Sequence, residues 1–306
     1  MNKLLLTYIL TIGICGVAGG GTGIILKRTI GPIDEYYPEG FDPKEFSPNI
    51  ESLMEKYGKL SDKSYNGAAS YSDTDIINIC LEKYRKQDYC WSIASGDANT
   101  IVTQTIRNAQ IKYGDTYFEE QLSYSSVVDV ANRTIQHGVN GDLELYKGGC
   151  INPEVPNYSG ATPQSYTKEG YKKYLGKTLD EMFIYIISEK TVINSTRTIK
   201  GDDVVIKFDL NPNLSTFYYK TQMLNISGLS NLPPFSEVKL TFTVDKELNL
   251  KIMDVDETFT ATKEGIPVPA KTHNLIKNYY HAGEQMLIPS INENLNYSAL
   301  LALEEE

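Results

Sequence analysis

The clearest pattern in this chain is an alternation. Val238, Leu240, Phe242 and Val244 take every second position between Glu, Lys and Thr, Asp245-Lys246-Glu247 breaks the run, and Leu248, Leu250 and Ile252 resume it. A period of two puts one face on a core and the other in water, so this stretch predicts an antiparallel hairpin. VVIKFDL (204–210) repeats the pattern through Val204, Ile206, Phe208 and Leu210. Helical spacing replaces it in SDTDIINICLEKYRKQ (72–87), where Ser72 or Asp73 caps and Ile76, Ile77, Cys80, Leu81 and Tyr84 share a stripe. A second short helix is predicted in NPNLSTFYYKTQMLNISG, with Leu214, Phe217, Tyr218 and Leu224 on one side and Gly228 at its end.

Between these elements lie runs rich in Thr, Ile, Val and Tyr, at 89–96, 100–113, 116–126, 130–136 and 143–146, with turn chemistry at Gly114-Asp115 and Gly141-Asp142. A Pro- and Gly-rich break follows at 148–164. Beyond it the order recurs: helices near 167–175 and 179–183, strands at 184–199 and 204–210, and Gly201-Asp202 between them. The fold class expected is α+β: two tandem domains, each a helix packed on a curved antiparallel sheet, spanning 67–149 and 165–265 about a linker at 150–164. Residues 266–306 are expected to form a C-terminal helix and an acidic tail.

The N-terminus changes the picture. From Leu4 to Leu26 the chain carries no charge, with Lys3 before and Lys27-Arg28 after. That length crosses a bilayer core, which needs about 20 apolar residues. As a signal anchor the segment stays, and the pairs Gly16/Gly20 and Gly19/Gly23 would let two copies of the helix approach and form a homo-oligomer. As a cleaved signal peptide, Gly16-Val17-Ala18 would be the cut site. The apolar run continues through Ile24, Ile25 and Leu26, which favours the anchor; either way the bulk of the chain is extracytoplasmic. Residues 31–66 then form a juxtamembrane spacer, since 31–49 holds four prolines, two glycines and five acids.

The long hairpins TIVTQTIRNAQIKYGDTYF and EVKLTFTVDKELNLKIMDVDETF, behind an export segment and a helix, resemble the half-barrel of the bacterial lipoprotein-carrier family. That resemblance implies an apolar ligand held on the concave side of each sheet. The chain departs from the family in having Ile14 before Cys15, where a lipobox has a small residue.

Charge and chemistry then narrow the function. The net charge is −10, and the first thirty residues hold three cations and no acid, which leaves −13 on the rest. Such a surface disfavours nucleic acid and anionic headgroups as partners. Tyrosine occurs 22 times against one Trp and 9 Phe, a composition suited to half-buried strand faces. No P-loop, G-x-S-x-G elbow or G-x-G-x-x-G turn is present, so no catalytic residue, cofactor or metal is assigned. His273 and His281, eight apart on the expected C-terminal helix, do not form a helical zinc pair. Asp254, Asp256 and Glu257 read as the wet face of a strand. Phe217, Tyr218 and Tyr219 are the candidate ligand or partner wall, with core packing as the alternative. Cys80 and Cys90 are the candidate disulfide, because a helix packing on the next strand brings them near, with buried free thiols as the alternative. The function expected is a membrane-tethered, extracytoplasmic, non-catalytic binding or interaction module for a protein or an apolar ligand. The alternative is a structural subunit of a cell-envelope secretion or conjugation assembly.

Overall fold

The structure is a computed structural model that describes residues 38–280 except 59–64, 101–102, 114–115, 126–127, 140–141, 151–163, 176–184, 228 and 264. The apolar segment 4–26 lies outside the described residues, and among those described no helix is long and apolar enough to cross a membrane.

The chain enters through a 3-10 turn at Pro43–Glu45, capped by Asp42, whose side chain accepts from Lys44 N. Helices α1 (Ile50–Gly58), α2 (Tyr65–Ala68) and α3 (Asp73–Lys86) follow. The Ser72 hydroxyl accepts from Asp75 N at 3.2 Å, as an N-cap should, and Ile76, Ile77, Ile79, Cys80 and Tyr84 turn the buried stripe of α3 inward. Five strands come next: β1 (Tyr89–Asn99), β2 (Thr103–Tyr113), β3 (Thr116–Ser125), β4 (Val128–Val139) and β5 (Asp142–Cys150), with the short β6 (Gln164–Tyr166) and α4 (Lys168–Leu175) behind them. The second half holds β7 (Val192–Lys200), β8 (Asp203–Leu210), α5 (Phe217–Ser227), β9 (Phe235–Val244), β10 (Leu250–Lys263) and β11 (Ile266–Tyr279).

The eleven strands of the described residues form one antiparallel sheet in the order β6-β5-β4-β3-β2-β1-β11-β10-β9-β8-β7. The antiparallel α+β character is as expected, but the separate sheet for each half is not. The first meander runs outward from β1 to the edge at β6, the second runs inward from the other edge at β7 to β11, and so the first strand meets the last: Trp91 pairs with Tyr279 and Asn99 with Lys271. The two rings at the top of this seam stack at 4.5 Å. Helix α3, expected to serve the first half, also covers the second: Asn78 Nδ2 donates to Ile187 O at 2.8 Å, and Arg197 of β7 donates to Asp73 Oδ1 at 2.6 Å and to Tyr71 O at 2.7 Å. On the first half it meets β2, where Gln110 Nε2 donates to the Tyr84 hydroxyl at 3.2 Å.

Three further expectations are corrected. Residues 266–279 are a strand, not a helix: Val268, Ala270, Thr272, Asn274, Ile276 and Asn278 are buried with period two. Half of that inward face is polar, so hydrophobicity alone hides the alternation. The spacer is packed rather than extended. Phe41 stacks on Phe46 and lies 4.5 Å from Phe217, while Leu53 and Tyr57 of α1 join the core. Lastly, the strand placed at 184–199 begins only at Val192. Tyr185, Ile186 and Ile187 are buried in a turn tied by Ile186 N to Ser215 O at 2.8 Å.

The Gly-Asp turn between β7 and β8 is present, with Gly201 at φ +62. The turn after β9 is longer than the sequence suggests. Asp245 accepts from Asn249 N and Asn249 Nδ2, both at 2.8 Å, and fully buried Leu248 sits at φ +63. Burial of its side chain offsets the roughly 1 kcal/mol that the left-handed backbone costs.

Candidate functional site

Strand register builds a polar ladder across the outer face of the sheet. Reading from β8 to β2 at one level, Asp209 stands opposite Lys239, Lys239 opposite Asp256, Asp256 opposite His273, His273 opposite Asp97, and Asp97 opposite Thr105. Acids alternate with bases because directly opposed like charges repel at cross-strand distance. His273 Nδ1 lies 3.0 Å from Asp256 Oδ1 and 3.4 Å from Asp254 Oδ1, two residues along β10. The three side chains are 52%, 47% and 36% exposed respectively for His273, Asp256 and Asp254. Burial pushes the Asp254 carboxyl above its usual range, against the pull of His273. Its Oδ1 is shielded from solvent and accepts no hydrogen bond.

The inner face carries a second polar set, in the core rather than in water. Glu257 is 1% exposed; Thr272 Oγ1 donates to its Oε2 at 2.9 Å, and its Oε1 has no hydrogen-bond partner. Burial raises its pKa to about 8. Alongside, Ser92 donates to Asn278 Oδ1 at 2.6 Å, Asn278 Nδ2 donates to Leu250 O at 2.9 Å, and Asn108 donates to Glu119 Oε1 at 2.8 Å. Each bond satisfies a group that burial would otherwise penalise, so these strands are pinned in one register.

A groove of about 430 Å³ opens between α1, α3 and the turn before β7, lined among others by Glu45, Asn49, Ser52, Lys56, Asp75 and Lys190. Its walls mix charges of both signs with Phe46, Pro48 and Leu53 and are somewhat more polar than apolar. An apolar cargo would find little to bury there.

The sequence candidates fall elsewhere. Phe217 and Tyr219 are buried: Phe217 packs on Phe41, and Tyr219 packs on Tyr185 at 5.3 Å and on Phe235 at 5.6 Å. Half-buried Tyr218 also packs against the core, so these three rings close the second half of the sheet rather than forming an open wall. Cys80 and Cys90 are both free and both buried in the same core cluster, not bridged. Desolvation pushes the Cys90 thiol up to about 12 and Cys80 higher still, so neither is a thiolate at neutral pH. The outer-face cluster is what sequence reasoning missed. Asp254 and Asp256 were visible as acids, but His273 joins them only once 266–279 is a strand. The i, i+2 spacing of the two acids was the available signal.

No family model and no curated protein matches this chain. Among solved structures, an inactive mutant of the CurK dehydratase shares 8% identity over 70% of this chain and 85% of its own, at a TM-score of 0.14. A likeness that low carries no argument about fold or activity.

Proposed function

We propose that this chain is a non-catalytic interaction module, anchored through residues 4–26 and working outside the cytoplasm, whose partner is a protein rather than an apolar cargo. The observation that carries the choice of partner is the state of the inner face. Among the described residues, Tyr84, Phe208, Phe242, Phe259 and the isoleucines of α3 are buried together in one core cluster, so the protein's own side chains occupy the face of the sheet beneath α3. A carrier of the kind the lipoprotein-carrier resemblance implies needs an apolar cavity of roughly 300 Å³ or more. The groove by α1 has the volume but not the lining. The charge-free leader supports the outside location, and the acidic remainder, with its wet ladder, supports a protein surface as target.

Native mass spectrometry of the protein purified from its own host tests this reading. The expected result is co-purified protein and no bound lipid; stoichiometric lipid would overturn it. Protease added to intact cells tests the location, with cleavage after residue 30 expected and full protection overturning it.

One observation favours a second reading, a structural subunit of an envelope assembly. Strand β7 ends the sheet with no strand of the described residues on its outer side, and it exposes Ile193 at 68% and Ile199 at 63%. An open edge with bare isoleucines is a template for strand addition.

A further inference from the structure

We propose that Asp254, Asp256 and His273 form a binding site for one first-row divalent cation, with Zn²⁺ as the reference ion, on the outer face of β10 and β11. The site goes beyond the interaction reading and stands whether or not that reading does.

Geometry carries the argument. Ligand atoms held about 2.1 Å from one ion stand about 3.0 Å apart at a right angle and about 3.4 Å apart at the tetrahedral angle. The Nδ1 of His273 lies 3.0 Å from one carboxylate oxygen and 3.4 Å from the other. All three ligand atoms fall within 4.8 Å of one another. As the Nδ1–H tautomer His273 donates to Asp256 Oδ1; with that proton on Nε2 instead, all three neighbouring atoms are acceptors, an arrangement that a cation relieves. Asp254 Oδ1 fits this most directly, because it is shut off from water and takes no hydrogen bond.

The scaffold suits the purpose. Two ligands come from alternate positions of β10 and the third from its neighbour β11, so backbone pairing sets their spacing before any ion arrives. The imidazole decides the class of ion. Ca²⁺ and Mg²⁺ prefer oxygen shells and would leave His273 idle, whereas Zn²⁺ and its first-row neighbours take mixed nitrogen and oxygen donors. Three protein ligands on an exposed face leave further positions for water or for an acidic group of a partner. The surrounding charge is balanced: Asp97 flanks His273 and accepts from Thr105 Oγ1 at 3.2 Å. Lys239 faces Asp256 but is ion-paired to Glu237, and Lys207 bears on Asp254.

Calorimetric titration of the full chain in detergent with Zn²⁺, at neutral pH and after metal removal, tests the site. One equivalent is expected to bind, with affinity falling about tenfold or more in His273→Ala and in Asp256→Asn, and unchanged in Asp209→Asn. Co²⁺ is expected to give visible absorption bands that vanish in His273→Ala. Far-UV circular dichroism checks that each variant folds, and His273→Asn replaces the alanine variant where it does not. Absence of saturable binding overturns the proposal, as does binding that persists without His273, which would move the ion to other ligands. Displacement by a modest excess of Ca²⁺ or Mg²⁺ would also overturn it.

Discussion

Glu257 shows what one residue contributes when the environment is set against its charge. Its folded pKa, about 8, lies above the ordinary value of 4.5 because burial disfavours the carboxylate and one Thr272 hydroxyl only partly compensates. A raised folded pKa means that stability is complete below about pH 4.5 and falls as pH rises toward about 8, by about 1.4 kcal/mol per pH unit between the two. Urea unfolding across that window is expected to show the slope in the native chain. It is expected to be lost in Glu257→Gln, which keeps the shape without the charge and is the more stable form above neutral pH. A flat native profile would remove Glu257 as the source. The sequence pattern puts Glu257 on a wet strand face with Asp254 and Asp256, and its burial at 1% exposure corrects that. Parity along β10 separates it: Asp254 and Asp256 turn to the outer face, while Glu257 turns into the core.

At the scale of elements, local pattern was a good guide wherever the buried face was apolar. Helix α3, strand β8 and the β9–β10 hairpin lie where period and capping placed them, except that a register shift after Leu250 takes Ile252 off the buried face and turns Met253 and Val255 inward. It failed on β11, whose inward face includes Thr272, Asn274 and Asn278, so the chemistry that holds the strand is hydrogen bonding rather than hydrophobicity. Its two prolines lie at 267 and 269, beyond the end of the pairing with β1 at Lys271, where one flank of β11 has no β1 partner to need an N–H. One end of the sheet, at β7, bears the exposed isoleucines. Replacing Ile193 and Ile199 of β7 together by lysine is expected to leave folding stability within about 0.5 kcal/mol, as surface changes do. The same pair of changes is expected to shift any assembled species seen by native mass spectrometry toward monomer, since an edge lysine discourages strand addition. Unchanged assembly would remove β7 as the contact.

The whole molecule depends on the seam between β1 and β11, which makes one sheet of two meanders. Gly96 is the position where the strands tolerate least: a Cβ there would collide with the Asn274 side chain and with the His273 carbonyl, and the latter is backbone and cannot step aside cheaply. Gly96→Ala is therefore expected to destabilise the chain by about 1–3 kcal/mol. Hydrogen exchange should rise in β1 and β11 ahead of β7 and β8, and an unchanged midpoint of unfolding would contradict the close approach. By itself the sequence determined the α+β class, the two runs of strands, most helix and hairpin positions and the charge-free leader, because each rests on neighbours within about a dozen residues. Tertiary structure alone decided that the two runs share a sheet, that α3 covers both, that Phe217 and Tyr219 are core, and that His273 meets Asp254 and Asp256. Those outcomes rest on pairings between residues far apart in the chain, such as Gly96 with Asn274, and no local period encodes them.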